Sequence, residues 1–170
     1  VSPRWTVPRQ TPAASGCSPR PVAQTASSAE GCTVIINGRN QKSLDNALEE
    51  LPNATSICAD ITSHKESKKV ISELIDQFGR LDILVCNVGN GSSAKPGTEE
   101  YKDWERSFSE NFWSVTNLVE ASRKNLSETK GSIVCVSSIC GNELITGAPL
   151  TYSAAKAALN SYVNGASRPL

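Results

Sequence analysis

From Gly31 onward the sequence predicts a doubly wound α/β fold: a parallel sheet, incomplete, with helices on both faces. Three observations predict it. Short, continuously apolar runs recur along the chain, as expected of strands covered on both sides. Segments with an apolar stripe at helical spacing separate those runs. Capping residues and glycine or proline stops sit at the junctions.

Thr33-Val34-Ile35-Ile36-Asn37 forms the first run. Residues 41–51 then place Leu44, Ala47, Leu48 and Leu51 on one stripe, stopped by Pro52. Thr55-Ser56-Ile57-Cys58-Ala59 is a second strand. Ser63-x-x-Glu66 reads as a capping box opening a helix. That helix should bury Val70, Ile71, Leu74, Ile75 and Phe78 and end at Gly79 in a left-handed cap. Asp82–Asn87 is the third strand. A long helix over about residues 99–125 carries Trp104, Phe108, Phe112, Val115 and Val119 on its inner face. Ser132–Ser137 is the fourth strand, and a last helix runs over about residues 151–167 before Pro169. Residues 1–30 hold five of the nine prolines and one acid, Glu30, and read as irregular or disordered. The domain reading is therefore 1–30 irregular and 31–170 a single, truncated domain.

Charge and composition exclude some functions. Lysine plus arginine and aspartate plus glutamate both number 17, giving zero formal charge and no basic field for nucleic acid or an anionic membrane. No apolar run reaches membrane-helix length, and the N-terminus lacks a secretory apolar core. Cys17, Cys32, Cys58, Cys86, Cys135 and Cys140 form no Cys-x-x-Cys pair. Cys58, Cys86 and Cys135 fall in strand-like runs, where free cysteine acts as a small hydrophobe. The expectation is a reduced, cytoplasmic protein. His64 is the only histidine, which rules out a Ser-His-Asp triad and leaves no metal site to predict. The Asn-x-Ser/Thr sites at Asn53, Asn90 and Asn125 are then incidental.

Ligands of doubly wound sheets bind beyond the C-terminal strand ends. Three strands here end in polar or flexible residues: at Asp60, at Asn87-Val88-Gly89-Asn90-Gly91, and at Ser137-Ser138. Each could be only a turn; their coincidence at one sheet edge points to a site. Tyr152 and Lys156 are four apart on the last helix and so share a face. A fixed cation beside a phenol favours the phenolate, which suits proton transfer near neutral pH. The competing reading is a chance Tyr-x-x-x-Lys on an alanine-rich helix. Asn111 falls on the buried stripe between Phe108 and Val115. It is either a core amide satisfied by backbone or one facing the crevice beside Ser138 and Tyr152.

These residues resemble the short-chain dehydrogenase/reductase family. Leu84-Val85-Cys86-Asn87-Val88-Gly89 is similar to that family's Asn-Asn-Ala-Gly strand end, with Cys86 and Val88 as departures. Asn111, Ser138, Tyr152 and Lys156 match its catalytic set in order and approximate spacing, and Asp60, followed by Ile61, resembles its adenine-contacting position. The resemblance covers residues 31–168 and implies a Rossmann-like fold. It implies that Tyr152 is the general acid or base in carbonyl reduction or alcohol oxidation. Lys156 would bind the nicotinamide ribose, Ser138 the substrate oxygen, and Asn111 a relay water. Ser137 is the competing serine, and the family register favours Ser138. Cofactor contacts are expected from Arg39, Asp60, Ile61, Asn87, Val88, Gly89, Tyr152 and Lys156. Gly38-Arg39-Asn40 carries no acid, and an arginine there suits a 2′-phosphate, so NADP(H) is expected over NAD(H).

The resemblance also implies a homo-dimer or tetramer through the 99–125 and 151–168 helices, and a small carbonyl or alcohol substrate. Ala154, Ala155, Ala157 and Ala158 would let another helix approach closely, or simply pack the helix on its own sheet. The family's glycine-rich turn has no counterpart in residues 1–30, where Gly16 is the only glycine; a frame-shifted reading of the normal start would explain this. The family's last strands and substrate loop also fall outside these 170 residues. A strand is therefore expected to be missing between the Val34 and Leu84 strands, leaving a marginally stable fragment that holds a dinucleotide poorly. The alternative function is a non-catalytic, dehydrogenase-like fragment or interaction module.

Overall fold

The computed structural model of the protein describes residues 31–167; the expectations for residues 1–30 lie outside them. The chain enters as β1 (Val34–Gly38), where buried Val34 and Ile36 alternate with Ile35. Asn40 caps α1 (Gln41–Glu50) by accepting from Ser43 N at 3.0 Å. Strand β2 (Ala54–Cys58) lies parallel to β1, in register from Val34 opposite Ala54 to Gly38 opposite Cys58. Helix α2 (His64–Phe78) buries Val70, Ile71 and Leu74 and ends at Gly79, whose φ of 74° is left-handed.

Only half of the expected capping box forms. The Ser63 hydroxyl accepts from Glu66 N, but the Glu66 carboxylate accepts from Asp60 N at 2.6 Å. The glutamate thereby ties the end of β2 to the start of α2.

After β3 (Ile83–Cys86) come α3 (Tyr101–Phe108) and α4 (Ser114–Thr129), joined by one π turn over Ser109–Trp113. Strand β4 (Ser132–Cys135) runs parallel to β3, in register from Ile83 opposite Ser132 to Cys86 opposite Cys135. A short 3-10 turn (Ile139–Gly141) leads to α5 (Leu150–Ala166).

The π turn accounts for one correction. The predicted inner stripe began at Trp104, yet Trp104 is 37% exposed while Val115 and Val119 are buried. A π turn adds a residue to one helical turn and rotates the stripe before it relative to the stripe after it. Cys58 is a second correction: it ends β2 and is exposed, not packed as a small hydrophobe.

Among the described residues the strands form two parallel pairs, β1–β2 and β3–β4, with no ladder between them. Helices link the pairs. Ile57 of β2, Val70, Ile71 and Leu74 of α2, and Leu118 and Leu126 of α4 make one buried cluster, against which Ile35 and Leu84 pack. Val34 and Ile36 face the other way and pack on Leu44 of α1, so helices cover both faces of β1–β2. On β3, Cys86 joins Val115, Val119 and the fully buried Leu159 of α5, while Ile83 and Val85 stay exposed. This second cluster fixes α5 against the ends of β3 and β4, where the polar residues collect.

Candidate functional site

The ends of β3 and β4 stay joined one residue beyond the strands, where Val136 N donates to the Cys86 carbonyl at 2.9 Å. The Lys156 ammonium reaches this point from α5. The residue is only 2% exposed, and its Nζ donates to the Val136 carbonyl at 3.0 Å. Burial pushes the Lys156 pKa down, while the nearby Cys135 opposes that shift. The same Nζ lies 5.9 Å from the centroid of the Tyr152 ring, one helical turn back. Among the described residues the Tyr152 hydroxyl has no hydrogen-bond partner, and the residue is half-buried.

Asn111 sits at the centre of the π turn and is fully buried. Its Oδ1 accepts from Asn90 N at 2.9 Å, and its Nδ2 donates to Asn90 O at 3.0 Å and Ser107 O at 2.9 Å. Both amide hydrogens are therefore committed to backbone, and one acceptor position on Oδ1 remains. A π turn shifts backbone bonding from i+4 to i+5 and deprives carbonyls of their usual partner. The Asn111 side chain supplies one to Ser107.

Gly89 lies between these groups. A Cβ there would stand 3.1 Å from Asn111 Oδ1 and 3.1 Å from Lys156 Nζ, closer than side chains comfortably allow. Gly91 lies under the Tyr152 ring, where an added Cβ would be 3.8 Å from Cζ. Glycines thus bring the β3 turn onto Lys156 and Tyr152.

The two serines after β4 differ. The Ser137 hydroxyl is bonded to Asn160 Oδ1 on α5, and Asn160 in turn donates to Asn142 Oδ1. Ser138 caps the 3-10 turn, accepting from Cys140 N at 3.2 Å. That turn rests on α5 through Gly141, where a Cβ would meet the Lys156 carbonyl carbon at 2.8 Å. Gly141 was not singled out in the sequence, although a glycine three residues beyond Ser138 was a visible signal.

Residues 92–100 brace the start of α5, a role the sequence did not suggest. Thr151 Oγ1 donates to Ser93 Oγ at 3.0 Å, and Glu99 Oε1 accepts from Leu150 N at 2.8 Å.

The expected cofactor residues divide into two groups. Asn87, Val88 and Gly89 are exposed beside Lys156. Arg39 and Asp60 lie at the ends of the other strand pair. Arg39 faces Glu110 at 3.6 Å, next in chain to Asn111, with 61% of its side chain exposed. The Asp60 carboxylate accepts from Thr62 N at 3.0 Å and Thr62 Oγ1 at 2.8 Å. Ile61 is buried in the main cluster, and its carbonyl accepts from Ser67 Oγ at 3.0 Å and Asn117 Nδ2 at 3.3 Å. A shallow concavity of about 550 Å3 lies elsewhere, lined by Phe112, Arg123, Ala158, Ser161, Tyr162 and Gly165 among others. Among the described residues no group of three or more His, Cys, Asp or Glu could hold a metal ion. No described helix is long and apolar enough to cross a membrane.

Comparison with known proteins agrees with this layout. The chain is 28% identical over 144 residues to an uncharacterized oxidoreductase of Staphylococcus aureus, matching 83% of this chain and 62% of that protein. A counterpart in Staphylococcus epidermidis is 26% identical over 145 residues, 84% of this chain and 63% of that one. The chain thus spans less than two thirds of the length of these relatives. Among solved structures, a short-chain dehydrogenase from Streptomyces avermitilis superposes with a TM-score of 0.78 at 28% identity, over 85% of this chain and 53% of that one. A short-chain dehydrogenase/reductase of unknown function from Caenorhabditis elegans, solved with cofactor, superposes with a TM-score of 0.79 at 25% identity, over 84% and 57%. Residues 20–170 match the family described as short chain dehydrogenase, and with that match the chain belongs to this family.

Proposed function

We propose that the protein is an NAD(P)-dependent oxidoreductase interconverting a ketone and a secondary alcohol, with Tyr152 donating or accepting the proton. One observation carries the reading. A lysine ammonium, buried and held by a strand-end carbonyl, sits beside a half-buried tyrosine ring and a glycine turn that leaves no room for a side chain.

The residues present suit one half of a dinucleotide. Gly89 lets a ribose approach the backbone, and exposed Asn87 and Val88 flank it. Lys156 would hold the ribose hydroxyls. When bound, the cofactor supplies or takes the hydride. The chain's own part is to place a proton. Tyr152 would donate to the carbonyl oxygen in reduction and take the proton back in oxidation, with Lys156 supplying the nearby positive charge. Ser138 would donate a hydrogen bond to the same oxygen as its charge develops. The free acceptor position of Asn111 Oδ1 would hold the relay water near Lys156.

Arg39 supports a preference for NADP(H). Its exposed guanidinium ends β1, where a 2′-phosphate would be met, and the Glu110 carboxylate competes with that phosphate for it. The concavity between α4 and α5 lies on the surface through which a homo-dimer or tetramer would form. A small soluble substrate reached in the cytoplasm completes the reading.

The two separate strand pairs favour a second reading, a non-catalytic dehydrogenase-like module. Calorimetric titration with NADPH and NADH decides between them. The enzyme reading expects saturable binding that weakens at least about tenfold in Lys156→Ala. Absence of any saturable binding by the folded protein selects the module.

A further inference from the structure

Cys86 and Cys135 are the last paired residues of β3 and β4 and lie directly opposite each other in the parallel register. Neighbouring strands run about 4.8 Å apart, within the roughly 4.4–6.8 Å that a disulfide spans between Cα atoms. Paired residues on parallel strands project to the same side, and both cysteines join the cluster beneath α4 and α5. Each thiol shifts the other's titration, Cys86 upward and Cys135 downward. Cys86 replaces an asparagine in the motif that this strand end otherwise resembles, so the pair belongs to this chain and not to the general site.

The two thiols are not equivalent. Cys86 is 3% exposed, and the Cys135 sulfur beside it together with burial pushes its pKa up, so its thiol is held protonated. Cys135 is half-buried, and the neighbouring Cys86 thiol and the Lys156 cation together bring its pKa down to about 7 despite partial burial. Cys135 is therefore the more readily ionised thiol, next to a protonated partner and near Lys156. Cys32 and Cys58 are exposed free thiols.

We propose that Cys86 and Cys135 form a modification site, an attacking and a resolving thiol that close to a disulfide under a hydroperoxide. The Cys135 thiolate attacks the peroxide oxygen, an S–O bond forms and the O–O bond breaks. The departing alkoxide or hydroxide takes a proton and leaves as alcohol or water. Cys86 then attacks the Cys135 sulfenic sulfur. The S–S bond forms, the S–O bond breaks, and the released hydroxide leaves as water with the Cys86 proton. Two thiols lose two electrons, and the peroxide gains them. The disulfide removes the negative sulfur from beside Lys156. It also covalently locks β3 to β4 one residue before the carbonyl that holds the ammonium. The step requires no activity of the protein.

The test is non-reducing peptide mass spectrometry of the full chain after graded hydrogen peroxide, with dimedone to trap sulfenic acid. The expected first product is an intrachain Cys86–Cys135 link. Cys135 should be consumed at least about tenfold faster than Cys32 or Cys58. In Cys86→Ala the link vanishes and Cys135 accumulates as the dimedone adduct; in Cys135→Ser neither product forms. An unlinked wild-type chain whose Cys135 reacts no faster than Cys32 overturns the proposal. So does a Cys86→Ala variant whose Cys135 fails to be trapped even at about pH 9, where a thiol ionises without help from Cys86. The wild-type measurement stands even if a variant folds poorly.

Discussion

Replacing Asn111 with alanine should loosen the join between the β3 turn and the interrupted helix. The side chain makes three hydrogen bonds, two to Asn90 and one to Ser107. At about 1 kcal/mol net each, their sum is ~3 kcal/mol. Asn90 is exposed, so water recovers part of its share, whereas the Ser107 carbonyl loses its side-chain partner inside the π turn. The expected loss is ~2–3 kcal/mol, or about 4–12 °C in melting temperature for a domain of this size. Urea unfolding followed by circular dichroism measures it. Hydrogen exchange localises it, since Asn90 N–H should lose protection ahead of the α4 amides. Asn111→Asp is the sharper control. It keeps an acceptor for Asn90 N but turns carboxylate oxygen towards two carbonyls, so it should cost at least as much as alanine. A loss under about 0.5 kcal/mol in Asn111→Ala, or a neutral Asn111→Asp, would refute the clamp.

Three further outcomes are expected. Gly141→Ala pushes a Cβ against the Lys156 backbone at 2.8 Å and should destabilise by ~1–3 kcal/mol in thermal melts, with unchanged melting as the contrary result. The Ser107 hydroxyl is buried without a partner among the described residues, so Ser107→Ala should be neutral or stabilise by up to ~1 kcal/mol; a clear loss would mean that the hydroxyl is bonded. The neighbouring Cys86 thiol and the Lys156 charge lower the Cys135 pKa to about 7, and only the thiolate reacts, so iodoacetamide labelling should rise with pH through a midpoint about there. Lys156→Met should move that midpoint upward, and an unshifted midpoint would contradict the assigned cause.

Much of the fold was readable because it depends on periodicity and caps. The stripe Val70, Ile71, Leu74 between Ser63 and Gly79 packs as its spacing implies. Asn111 was singled out because a buried amide on an apolar stripe demands partners, and Lys156 because it lies one helical turn from Tyr152. What was not readable depends on contacts distant in sequence. A π turn leaves no periodic trace, so the break at Ser109–Trp113 and the outward Trp104 were invisible. Glu66 bonds the Asp60 amide because the amide of its own cap, Ser63, already donates to the Asp60 carbonyl at 3.0 Å. Ile61 enters the core because Asp60, turned back on Thr62, points the next side chain inward. Ser137 and Ser138 differ only through Asn160, twenty-three residues beyond Ser137.

The claim on which the account rests is that the phenol next to the buried Lys156 moves the proton. A steady-state assay of Tyr152→Phe against a ketone panel with NADPH addresses it most directly. The account predicts a fall in kcat/KM of about 10²–10⁴, with the melting temperature and the NADPH Kd essentially unchanged. Turnover within about twofold of wild type in that variant would contradict it.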